Sequence, residues 1–224
     1  MQLVNLDSYI AERVYPGRGV LLGQGDGGHA VLAYFIMGRS ENSRNRIFVE
    51  EGPGLITRAF DESKLGDPSL IIYPPVRVVG ESTVVTNGDQ TVTVCEHLEN
   101  GGSFYSALQT RTFEPDPPIF TPRISGIAKV NGGAFSYALS ILKSSNNRGG
   151  HALRQFFEYE TPVAGEGHLI HTYAPAVGEL LPPFAGEPVH VALTGDIDSF
   201  TSRVWNALNE DNKVSLFVRY ISLA

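Results

Sequence analysis

The feature that most limits what this chain can become is its rhythm. Short apolar, β-branched runs follow one another closely, each bounded by Gly or Pro. "RGVLLG" (18–23), "HAVLAYFIMG" (29–38), "RIFVE" (46–50), "LIIY" (70–73) and "VRVVG" (76–80) read as strands in the first half. "PRISGIAKV" (122–130), "AFSYALSILK" (134–143), "ALRQFFEYE" (152–160), "HLIHTYA" (168–174), "PVHVAL" (188–193) and "VSLFVRYISL" (214–223) continue the series. A chain of this kind has to pair its strands, and short turns make the pairing antiparallel. Asn131, Gly132 and Gly133 supply such a turn between 122–130 and 134–143. Asn87-Gly88 in "STVVTNGDQTVTV" (82–94) predicts a second hairpin, because that dipeptide favours the positive φ angles of a type I′ turn.

Two segments carry a helical period instead. In "DIDSFTSRVWNALNE", Phe200, Val204, Trp205 and Leu208 fall on one face and Asp198 is placed to cap the first turn. "SFYSALQTRTF" (103–113) aligns Phe104, Ala107, Leu108 and Arg111 before the Pro-rich "EPDPPIFTP", whose prolines cannot continue a helix. Many strands with few helices predict an α+β layered architecture of packed antiparallel sheets covered by helices. The 224 residues fit one domain over 1–224, since layered folds of this size share a single core.

Composition narrows the function classes. Lys plus Arg number 17 against 24 Asp plus Glu, a net charge of −7, so general affinity for nucleic acid or an anionic membrane is not expected. No apolar run approaches the ~20 residues of a membrane helix. The opening "MQLVNLDSYIAERVYPG" lacks the pattern of a signal peptide and Cys95 has no second cysteine to pair with, which together point to the cytoplasm. An anion bound by such a chain needs a local pocket.

Candidate chemistry starts from the residues. His168 and His171 sit three apart in strand-like sequence and so point to opposite faces, which argues against a shared metal, and no metal is expected. Cys95, beside Glu96 and His97, reads as a small buried hydrophobe before it reads as a nucleophile. "GQGDGG" (23–28) lies between strands, so it is not a dinucleotide fingerprint; a plain hairpin loop and a loop whose backbone approaches a ligand both fit it. "GRSENSRNRIFV" (38–49) crowds Arg39, Arg44 and Arg46 with Asn and Ser donors. If 42–49 is extended, a half-solvated strand with outward arginines and a pocket for phosphate or carboxamide are equally compatible with it. Tyr73 ends a run before a Pro-Pro bend, Glu114 and Asp116 stand in the loop "FEPDPP", and Arg123 opens a strand; taken singly these read as a core or rim tyrosine, loop carboxylates and a surface ion pair.

Taken in order, "GRGVLLG", "YFIMGRSENSRNR", "LIIYPPVRVVG", "TVVTNGDQTVTV" and "FTPRISG" resemble the archaeal-type inosine monophosphate (IMP) cyclohydrolase family and its bacterial relatives, most strongly from Gly17 to about Lys143. The resemblance implies a four-layered αββα sandwich similar to the N-terminal nucleophile hydrolases, antiparallel sheets flanked by helices. It implies closure of the purine ring of 5-formamidoimidazole-4-carboxamide ribonucleotide to inosine monophosphate, with no cofactor and without the nucleophile for which the fold is named. Arg46, Tyr73 and Glu114 are then the implied catalytic residues; Arg18, Asn45, Asn87 and Arg123 are the implied substrate contacts. Asp116 is an alternative to Glu114, because "EPDPPIF" is one residue longer than the family's pattern. Arg39 and Arg44 are left to shape the loop or to pair with Glu41, Glu50 and Glu51. The implied partner is a purine nucleotide, and the family hints at a homo-oligomer. Two other readings are a non-catalytic nucleotide-binding protein and an amide hydrolase on the same fold; for the latter, "MQLVNLD" offers no terminal Ser, Thr or Cys unless a preceding segment is removed.

Overall fold

A computed structural model describes residues 2–66, 68, 71–145, 149–178 and 180–224. The elements in chain order are α1 (Leu6–Ala11), β1 (Arg18–Gln24), β2 (His29–Met37), α2 (Glu41–Arg44), β3 (Ile47–Glu51), β4 (Gly54–Arg58), a 3₁₀ turn (Glu62–Lys64), β5 (Val76–Val79) and β6 (Ser82–Thr86). They continue with α3 (Gln90–Glu99), α4 (Phe104–Gln109), β7 (Arg123–Asn131), β8 (Ala134–Ser144), β9 (Ala152–Tyr159), β10 (Glu166–His171), β11 (Val189–Ala192), α5 (Ile197–Ala207) and β12 (Lys213–Ser222). The strands form two antiparallel sheets, one of five strands in the order β11-β10-β1-β2-β12 and one of seven in the order β3-β4-β5-β6-β7-β8-β9. Among the described residues no helix is long and apolar enough to cross a membrane.

The run "HAVLAYFIM" shows why the sheets stack. Its residues alternate between two cores: Ala30, Leu32, Tyr34 and Ile36 face the seven-stranded sheet, meeting Val85, Ile124, Leu139 and Ile141, while Val31, Ala33, Phe35 and Met37 meet Leu6, Ile10, Phe200 and Val204 from α1 and α5. A strand buried on both faces has no polar side to show, so its sequence reads as continuous apolar residues. The seven-stranded sheet is covered in turn: Val84, Ile127, Ala138 and Leu142 pack against Val94, Cys95, Phe104 and Leu108 of α3 and α4. Mixed α and β structure in two stacked antiparallel sheets with helices on their outer faces agrees with the architecture expected from the sequence.

Local expectations fail in five places. The predicted hairpin at 82–94 is a strand followed by a helix: neither Asn87 nor Gly88 adopts the positive φ of a type I′ turn, and α3 buries Thr91, Val94 and Cys95. Tertiary burial overrides the β preference of "TVTV". Cys95 is therefore a helix residue, and burial pushes its thiol up to about 11. The cap of α5 is Asp196, which accepts from the Ser199 amide at 2.8 Å, and Asp198 lies in the first turn. In the quoted arginine segment residues 41–44 are a helical turn, so the extended reading of 42–49 holds only from Ile47 onward. Of the strand expected at 70–73, Leu70 lies outside the described residues and Ile71 to Tyr73 run outside any strand. Tyr73 nonetheless docks on β4, which sequence reasoning missed: its amide donates to Thr57 Oγ1 and its carbonyl accepts from the Thr57 amide, both at 2.9 Å. The helix at 103–113 is shorter, ending at Gln109 with Ser103 as its cap.

Candidate active site

One end of the two sheets collects the polar residues. Arg18 opens β1 beside Gly17, whose φ of +81° and close approach to the Thr172 hydroxyl and the Tyr173 ring leave no room for a Cβ. Arg46 stands between α2 and β3. The turn before it is fixed by a reciprocal cap between Ser40 and Ser43 and by Gly38, where a Cβ would stand 2.7 Å from the Ser43 carbonyl. Asn45 then locks the segment to the next loop: its Nδ2 donates to the Asp61 carbonyl at 2.8 Å and its Oδ1 accepts from the Asp61 amide at 2.7 Å. Glu114, whose amide donates to the Thr121 carbonyl at 2.9 Å, approaches from the loop before β7.

These elements enclose a cavity of about 390 Å³ whose wall includes Arg18, Arg39, Arg46, Glu114, Asp116 and Tyr173. Arg46 and Glu114 are each only 3% exposed and Arg18 8%. Burying charge is costly unless it is compensated, and here compensation is incomplete. Arg46 Nε donates to the Ser43 carbonyl at 3.1 Å, but Arg46 Nη1 and Arg18 Nε are buried with no partner among the described residues. Burial works against the charge on Arg18, yet Glu114 and the nearby phenols outweigh it and hold Arg18 above its ordinary value. Burial and the Arg18 charge lower Arg46. Burial raises Glu114 despite the opposing pull of Arg18 and Arg123. The result is a buried cluster of two guanidinium groups, each with an N–H that has no partner among the described residues, beside a carboxylate of enhanced basicity.

Tyr73 is buried beside the two arginines but off the cavity wall, its hydroxyl sharing a 2.8 Å hydrogen bond with Tyr34. Asp116, offered as the substitute for Glu114, lines the same cavity and accepts from the Thr121 amide at 2.7 Å. Asn45, Asn87 and Arg123 also lie off the wall. Asn87 bridges the Pro122 carbonyl (2.9 Å) and the Ile124 amide (2.8 Å), and Arg123 pairs with Asp89 at 2.6 Å. Glu41 and Glu51 pair with Lys64 and Arg77, so Arg39 and Arg44 have neither as a partner.

Sequence reasoning missed Tyr34, Thr121 and Tyr173. Only Tyr34 left a trace, through the alternation that puts it on the inter-sheet side of β2. Tyr173 is anchored by His171, whose Nδ1 lies 2.9 Å from the Tyr173 carbonyl and whose Nε2 lies 2.8 Å from the Tyr9 hydroxyl. Burial pushes His171 down to about 3, so the ring is neutral, donating from Nδ1 and accepting at Nε2. His168 faces the other way and stacks on Tyr159 and His190, as the strand spacing requires. The glycine-rich loop contributes Gly27 and Gly28 to a larger cavity of about 740 Å³ at the far end of the sheets, away from the arginines.

A sandwich that buries two guanidinium groups and the Glu114 carboxylate in the wall of a cavity of this size forms a small-molecule site, suited to a ligand rich in carbonyl or phosphate oxygens. The chain belongs to the family of IMP cyclohydrolase-like proteins, whose family model matches residues 15–223. It is 31% identical over 163 residues to the IMP cyclohydrolase of Methanopyrus kandleri, a match that covers 71% of this chain and 75% of that protein.

Proposed function

We propose that this protein is an IMP cyclohydrolase, a hydrolase of cyclic amidine C–N bonds that runs in the ring-closing direction in purine biosynthesis. In this reading residues 1–224 form one cytoplasmic, homo-oligomeric IMP cyclohydrolase-like domain with the αββα layering of N-terminal nucleophile hydrolases. The observation that carries the reading within the family is that Arg18 and Arg46, each with a buried N–H unpartnered among the described residues, share one cavity wall with Glu114.

The reaction is intramolecular. The carboxamide nitrogen of 5-formamidoimidazole-4-carboxamide ribonucleotide bonds to the formyl carbon, and the formyl oxygen leaves as water. Its two hydrogens come from the carboxamide N–H and the formamido N–H. A neutral amide is a poor nucleophile, so the site has to hold the two groups in contact, take one N–H proton and stabilise charge on the formyl oxygen. Glu114, made more basic by burial, accepts the carboxamide proton. Arg46 donates to the developing oxyanion and Arg18 holds the carboxamide oxygen. Glu114 returns the carboxamide proton to the formyl oxygen, and the formamido N–H proton follows as water leaves. Tyr73, which lies off the wall against Tyr34, carries that second proton only after turning its hydroxyl toward the cavity. Asn45, Asn87 and Arg123 act one step back, keeping the wall-forming segments in place.

The test is the absorbance change on ring closure with purified protein and the formamido nucleotide. Turnover is expected, and Arg46→Ala is expected to reduce it ~10²-fold or more while leaving the thermal midpoint in place. A wild-type protein that binds inosine monophosphate without closing the ring would defeat the assignment.

A further inference from the structure

Of the three arginines on the cavity wall, Arg39 is the one that the proposed chemistry does not use. It is exposed, lies on the wall of the 390 Å³ cavity and also borders a second cavity of about 340 Å³. Among the described residues it has no ion-pair partner. It is nevertheless held: its guanidinium rests 4.6 Å over the Tyr15 ring, and Tyr15 is stacked on Tyr173, with 5.8 Å between centroids and 18° between planes. Tyr173 is fixed in turn by its hydroxyl contact with Thr121 at 2.8 Å. A guanidinium preorganised on a two-ring platform, with its N–H edges unclaimed among the described residues, is a receptor for an oxyanion.

We propose that Arg39 is the phosphate-reading residue of this site, with Tyr15 as its positioning residue; the inference rests on the nucleotide reading above. The physical ground is the cost of dehydration. A phosphate dianion is hard to strip of water, and the buried end of the cavity already holds the carboxylate of Glu114. The neutral carbonyl groups of a substrate can go deep to Arg18 and Arg46, whereas the 5′-phosphate is best left at the rim. There Arg39 is the exposed arginine of the wall, and Asn42 adds an exposed amide beside it. Ser40 and Ser43 are already engaged in capping each other's backbone.

The test compares binding of inosine 5′-monophosphate and of inosine by calorimetry, in the wild type, Arg39→Gln and Arg39→Lys. Removing a charge-assisted contact should weaken the phosphorylated ligand about 10- to 100-fold in Arg39→Gln. Inosine should change by less than about 3-fold, well below what one charge-assisted hydrogen bond contributes, and Arg39→Lys should fall between for the phosphorylated ligand only. Equal weakening of both ligands, or of neither, overturns the assignment of Arg39 while leaving the nucleotide reading intact. A wild type that binds neither ligand overturns both.

Discussion

Two buried polar networks lie at the same end of this molecule, and they differ in whether they close. Around Asn87 every side chain finds its partner inside the protein. Asn87 Oδ1 accepts from the Ile124 amide and from Gln90 Nε2, Gln90 Oε1 accepts from Arg123 Nη1 at 2.7 Å, and Thr86 and Thr91 share a 2.7 Å hydroxyl contact. Around Arg18, Arg46 and Glu114 the groups meet through charge, and two guanidinium nitrogens have no partner among the described residues. A closed network fixes a fold, and an open one of similar burial has a vacancy that a ligand can fill. The comparison separates residues that one sequence resemblance had grouped together as site residues.

The largest expected effect tests the open network. Glu114→Gln keeps the volume and removes the base, so turnover should fall ~10²- to 10⁴-fold with the fold retained. The wild-type pH profile supplies a second check. The reactive form of Glu114 is the deprotonated one, and burial raises its pKa. The rate should therefore drop on acidification through a value above the ordinary glutamate range, and that acid limb should vanish from the residual activity of the variant. An acid limb at an ordinary glutamate value would mean that Glu114 is not the base, or that its burial is relieved when substrate binds.

The closed network should respond in stability before it responds in rate. Asn87→Ala breaks three hydrogen bonds and leaves the buried Ile124 amide unpaired, so denaturant unfolding should show a loss of about 2–4 kcal/mol. Turnover per folded molecule should change far less than in Glu114→Gln. A variant of native stability with lost turnover would move Asn87 into the open set and collapse the distinction.

How far these networks could be read from the sequence depends on the range of the interactions that make them. β2, β7 and β8 were legible because alternation and the Asn131-Gly132-Gly133 turn are local signals. α3 was not, because Thr and Val alone favour a strand, and its helical state comes from burying Val94 and Cys95 against β6 and α4. Arg18, Arg46 and Glu114 stand out through a family resemblance; by residue type alone Arg46 fits a pocket and a solvated strand equally, and Glu114 reads as a loop carboxylate. Arg39 was set aside as a loop residue, since nothing local signals that its platform is Tyr15 stacked on Tyr173, 158 positions further along the chain. Whether an arginine is open or closed depends on partners that only the folded chain supplies.

The smallest effect lies where the two networks touch. Arg123 belongs to the closed set through Asp89 and Gln90, yet its charge reaches Glu114 and favours the ionised carboxylate. Asp89, also paired with Arg111, dilutes that influence. In Asp89→Asn the side chain keeps its shape and loses its negative charge, so Arg123 acts on Glu114 less opposed and the folded pKa of Glu114 should fall. Less acid is tolerated by a base with a higher pKa, so lowering it must carry the acid limb of the rate to lower pH. At this separation the displacement should be on the order of a few tenths of a pH unit, larger at low ionic strength and reduced by salt. The plateau rate should stay close to wild type, because no group in the cavity has been removed. A limb that does not move, or moves to higher pH, would show that the closed network holds the fold without tuning the site.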